Sequence, residues 1–227
     1  MRAGPRWVAV CSAVVLLSSL APAGLVNPAD LGLYNTGVDA AGTPLADNAV
    51  DPHWVLSGTG AAEGSGPDAI VAREAGGFPI GPWLLDAADP VSAWITPSAD
   101  TSGPGATDGT AIYNFSTSFT TPIGGTLVIT GVQSADNGVV GVNIDGIEGT
   151  FTPVGFNAFA DFSVTADVTG TDHVLSFLVH NGTGEATPDG PIGLRVRIDS
   201  VDFTPIPEPM TLSLLGLGGL VLLRKRR

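Results

Sequence analysis

"AIYNFSTSFT", residues 111–120, decides how this chain is read. Tyr113, Phe115, Thr117 and Phe119 share one face, and Ile112, Asn114, Ser116 and Ser118 share the other. That period of two belongs to a strand with one face buried, whereas a helix would scatter the same aromatics around its axis. The pattern recurs along the chain. In "AFADFSVTADV" (158–168) Ala160, Phe162 and Val164 alternate with Phe159, Asp161 and Ser163. In "GVVGVNIDG" (138–146) Val140, Val142 and Ile144 are expected to point one way. "HVLSFLVHNG" (173–182) has Leu175, Phe177 and Val179 inward, with Val174 and Leu178 making both faces apolar and the strand central.

The last such run, "GLRVRIDSVDF" (193–203), places Leu194, Val196 and Ile198 inward and Arg195 and Arg197 outward. It then changes phase for Val201 and Phe203, so a bulge is expected near Asp199 and Ser200. Further strands are expected at 53–58, 68–74, 92–96 and 126–131. The stretches 59–67 and 97–110, rich in Gly, Ser, Pro and Asp, read as surface loops. Nine strands and no helical periodicity predict an all-β fold, a single antiparallel β-sandwich of two packed sheets spanning 24–205.

The two ends differ from this body. Arg2 and Arg6 precede the uncharged run "WVAVCSAVVLLSSL", and Ala21 and Ala23 then occupy the small-residue positions of a signal-peptidase site, so residues 1–23 are expected to be a signal peptide cut after Ala23. Val10 stands before Cys11, where a lipoprotein cysteine needs a small residue. At the other end Met210–Leu223 is an apolar run holding seven leucines, followed by Arg224, Lys225, Arg226 and Arg227. As a helix it would be about 21 Å long against a hydrocarbon core of about 30 Å, a marginal membrane anchor whose basic tail stays on the cytoplasmic side.

Charge agrees with export. Between the two terminal segments lie three arginines, Arg73, Arg195 and Arg197, and no lysine, against all 22 acids of the chain. Such a surface repels phosphate, which argues against nucleic acid as a partner. Cys11 is the only cysteine, so the body has neither a disulfide nor a thiol nucleophile once the signal is removed.

Signals of chemistry are few. No zinc-protease, nucleophile-elbow or Walker pattern is found, and His53, His173 and His180 have no nucleophile at a recognisable spacing, so the protein is read as non-enzymatic. With so many acids, a pair of glycosidase carboxylates could be assembled anywhere, and a secreted hydrolase is only the third reading. No cofactor is expected. Structural calcium could be held by Asp136 and Asn137 or by Asn143, Asp145 and Glu148, with "DNAVD" (Asp47, Asn48, Asp51) a further candidate, although Asp and Asn more often shape turns. A carbohydrate-binding module is the alternative function. Among Trp54, Trp83, Trp94, Tyr34 and Tyr113, the loop-placed Trp83 is its candidate stacking platform.

Ile206, the literal Pro207, Glu208 and Pro209, the Leu/Gly-rich helix and Arg224–Arg227 together resemble the PEP-CTERM sorting signal of Gram-negative bacteria, here residues 206–227. That resemblance implies handling by an exosortase that cuts near the Pro-Glu-Pro motif, transient anchoring in the inner membrane, and delivery to the cell surface or extracellular matrix alongside exopolysaccharide and biofilm. The segments 34–58, 92–100, 134–146 and 173–196 are similar to a body found in other proteins with this tail. They imply a jelly roll of the galactose-binding-like kind.

Overall fold

A computed structural model describes residues 24–79, 81–106, 110–182 and 189–206. The signal peptide with Ala21 and Ala23, and the sorting segment with Pro207–Pro209 and Arg224–Arg227, lie outside the described residues.

Fourteen strands run through these residues, joined by short 3-10 turns: β1 (Gly24–Val26), β2 (Val50–Thr59), β3 (Asp68–Ala72), β4 (Trp94–Thr96), β5 (Ser102–Pro104), β6 (Ile112–Thr120) and β7 (Gly125–Asp136), then β8 (Gly138–Ile144), β9 (Ile147–Glu148), β10 (Thr150–Phe151), β11 (Ala160–Val168), β12 (Asp172–His180), β13 (Asp189–Pro191) and β14 (Gly193–Pro205). The nine expected strands are all present. β1, β5, β9, β10 and β13 are additional, two or three residues each and too short to show a period.

Twelve strands form one antiparallel sheet in the order β10-β11-β7-β14-β4-β3-β2-β6-β12-β8-β9, with β1 also on β14; β13 and β5 make a separate pair. The two separate sheets expected from sequence are therefore halves of one continuous sheet. The short β3 and β4 carry the hydrogen bonding from β14 round to β2, with Leu194 paired to Ile95 and Ile70 to Thr96. At the far side β8 and β9 come against β10 and β11, so the sheet is nearly closed into a barrel.

Between the halves lies one apolar core. Tyr113, Phe115, Thr117 and Phe119 of β6 are buried, as their alternation requires, and Phe162 of β11 meets Phe177 of β12 edge to face at 5.0 Å. Leu175, Phe177 and Val179 are fully buried, and β12 sits centrally between β6 and β8. The β14 bulge falls between Ile198 and Ser200, and both Ile198 before it and Val201 after it point inward.

Two expectations of facing are corrected. Val140 does not point inward with Val142. The β8–β12 register shifts there, so Val139 is buried and Val140 is 49 % exposed, because an extra residue in the ladder reverses the alternation. Arg195 is not outward in water but fully buried, because the segment 84–92 folds over the outer face of β14 and covers it.

Candidate functional site

The residues expected to carry chemistry are dispersed, and most are engaged by the chain itself. Asp145 and Gly146 form the two-residue turn of the β8–β9 hairpin, both at positive φ, as a primed turn requires. Asp145 accepts from the Val174 N–H at 2.8 Å and lies 2.7 Å from His173 Nδ1, while Asn143 accepts from the Gly146 N–H at 3.1 Å. Glu148 is exposed on β9. Asp136 lies at the opposite end of β8, beyond its first residue. The weak calcium candidates Asp136 and Asn137 therefore do not join Asn143 and Asp145 in one ligand set. Among the described residues no three histidine, cysteine or acidic side chains form a metal-binding group.

The other candidates shape turns. Asp47 accepts from the Arg73 N–H and from Asn48. Asp51 accepts from the N–H groups of Gly37, His53 and Trp54. Burial pushes the Asp51 carboxyl up, against the lowering effect of these donors.

Each histidine has its own surroundings. His53 stacks on Tyr34 at 3.8 Å. His180 Nδ1 lies 3.2 Å from the Gly138 carbonyl. His173 is buried between Asp145 and Thr121, whose hydroxyl lies 3.0 Å from Nε2 and donates to the Ile123 carbonyl at 2.9 Å. This acid–histidine–hydroxyl series resembles a nucleophile relay, but the Thr121 hydrogen already points at a carbonyl and the residue is 3 % exposed.

Trp83 is buried at 6 % exposure and offers no open stacking face. Its ring packs against Trp94, Phe78 and Phe156, and its indole N–H donates to Asp136 at 3.0 Å. Burial pushes the Asp136 carboxyl up to about 6, against the lowering effects of that hydrogen bond and of nearby His180. Beside this cluster, Arg195 donates to Ser92 Oγ and to the carbonyls of Leu84, Leu85, Asp89 and Ser92. It thereby ties the segment 84–92 to β14.

No family model, curated protein or solved structure matches this chain.

Two features escaped the sequence reading. One is the pairing of β1 with β14, which sets Gly24 opposite Phe203 and Val26 opposite Val201. Because the pair is antiparallel, the described chain begins and ends at the same end of the sheet, where Ile206 N–H is bonded to the Gly124 carbonyl at 3.1 Å. A three-residue strand directly after a small-residue site carries no readable period. The other is a groove of about 450 Å³ on the outer side of β10, β11, β7 and β14, lined by Thr130, Thr150, Ser163, Asp161 and Asp199 among others. These residues are far apart in sequence, and only strand register brings them together.

Proposed function

We propose that this chain is a non-enzymatic exported protein of the cell envelope or extracellular matrix, sorted and processed through residues 206–227. The body is read as a jelly-roll-like sandwich. The single observation that carries the proposal is the pairing of Gly24 with Phe203. Gly24, just after the expected signal segment, and Phe203, shortly before the expected sorting segment, are neighbours, which suits a precursor held by both ends at one membrane. Ile206, the residue before Pro207, is 50 % exposed. Two prolines in the motif favour an extended backbone that a membrane protease can reach.

The composition supports the same location. A body with three arginines, no lysine and 21 acids repels both nucleic-acid phosphates and anionic headgroups. The non-enzymatic reading is supported by the closed hydrogen bonding of His173, Asp145 and Thr121. The processing partners would be signal peptidase and an exosortase, and the terminal helix with its basic tail would hold the precursor in the membrane until cleavage.

Intact mass of the protein recovered from its producing bacterium tests this reading. Loss of residues 1–23 and of everything beyond about Pro209 is expected. Mature material that still ends at Arg227 would contradict exosortase handling.

A further inference from the structure

The outer face of β10, β11, β7 and β14 carries a row of side chains set by register alone. Thr150 is opposite Ser163, Ser163 opposite Thr130, and Thr130 opposite Ser200. Four hydroxyls thus stand side by side across four strands, over about 14 Å at a strand spacing of about 4.8 Å. The β14 bulge makes the row complete: the register shift between Ile198 and Ser200 brings Ser200, rather than Asp199, opposite Thr130. Asp199 then stands at the groove's margin, and Asp161 lines it from β11. The floor is held by Gly131, where a Cβ would collide with the Arg197 carbonyl and the Phe162 ring, so the strands close tightly beneath the row.

The row is only partly self-satisfied. Thr130 Oγ1 and Ser200 Oγ share one hydrogen bond at 2.7 Å, and Thr150 Oγ1 reaches the Ser163 carbonyl at 3.4 Å. Each hydroxyl has one donor and two acceptor positions, so further capacity faces the groove. Among the described residues the lining contains no cation; Arg197 of β14 is held by Asp199 at 2.7 Å and by Asp89 at 3.6 Å.

We infer that this groove binds a segment of neutral polysaccharide, held by Thr150, Ser163 and Thr130, with Ser200 orienting the Thr130 hydroxyl and Asp161 accepting from sugar hydroxyls at their side. Hydroxyls that both donate and accept, with carboxylates beside them, match a ligand made of hydroxyls. The Asp161 carboxylate repels phosphate, sulfate and uronate polymers, whereas Asp199 is compensated by Arg197. The inference deepens the proposed function, which it needs only to explain where such a polymer would be met; binding and C-terminal processing are measured separately and can fail separately.

The test is affinity electrophoresis of the full chain in detergent, through native gels cast with dextran, laminarin, galactan or galactomannan, with polygalacturonate, or with no polymer. Retardation in at least one neutral gel and none in polygalacturonate is expected. Thr130→Val with Ser163→Ala should weaken that retardation at least tenfold, and Thr150→Val, on an exposed edge residue whose loss leaves the fold intact, by about threefold. Ser116→Ala, on the opposite half, should leave it unchanged. Four outcomes would overturn the inference: no retardation in any neutral gel, equal retardation by polygalacturonate, retardation unaffected by Thr150→Val, or release of reducing ends from the polymer.

Discussion

Two polar regions of this molecule use similar atoms to opposite ends. Around Arg195 the polar groups are enclosed, and apart from Asp86 Oδ1 they are met by the chain itself: one guanidinium serves four carbonyls and a serine hydroxyl, while Asp136 is met by the Trp83 indole. Along the Thr150–Ser163–Thr130–Ser200 row the polar groups are open, and much of their hydrogen-bonding capacity is left to solvent. An enclosed polar group must be paired or it destabilises the fold, so the first region fixes the segment 84–92 in place. An open one can exchange water for a ligand at little cost. The contrast locates structure in one place and recognition in the other.

The sharpest way to break this contrast is Arg195→Met. It keeps length and apolar volume but leaves the buried Asp89 and Ser92 carbonyls without their donor, while Leu84 and Leu85 keep the Trp94 indole and the Ala88 N–H, and a loss of about 3–5 kcal/mol in denaturant unfolding is expected. A loss below about 1 kcal/mol would mean that water reaches the segment 84–92.

Next in size is the pH response of Asp136. Its carboxyl titrates at about 6 in the fold against an ordinary value of 3.8, so between these limits the folded state binds more protons than the unfolded one. Its favourable contribution is therefore complete below the unfolded value and is lost as pH rises through about 6, by about 3 kcal/mol in all. Asp136→Asn keeps an acceptor for Trp83 and removes the titration. Unfolding followed from pH 4 to pH 7.5 should show the variant pulling ahead of the parent as pH rises. Parallel curves would place the carboxyl in water. At the open row the same kind of deletion, Thr150→Val, should shift stability by less than about 0.5 kcal/mol while acting on polysaccharide retardation.

How much of this could be seen in the sequence depends on the length of each element. Nine residues of β6 or β12 display their period, and the inward set from Tyr113 to Phe119 and from Leu175 to Val179 was legible. The β14 bulge was legible too, because Val201 and Phe203 break the phase of Leu194, Val196 and Ile198. Arg195 was not: period two marks it as facing away from the core, and nothing local says that a segment more than a hundred residues earlier covers that side. Val140 was misplaced because one extra residue in a ladder is invisible without its partner strand. The hydroxyl row was illegible for the same reason, since its four residues belong to four strands whose register is a property of the folded sheet. Trp83 stands in a Pro/Gly-rich loop, yet it is buried because other aromatic rings and Asp136 surround it.

We propose that this acid-rich body works on the far side of the cytoplasmic membrane. Fractionation of the producing bacterium, followed with an antibody raised against residues 24–206, measures that directly. The body is expected in the envelope or the medium, and recovery of the folded body in the cytosol would contradict the claim.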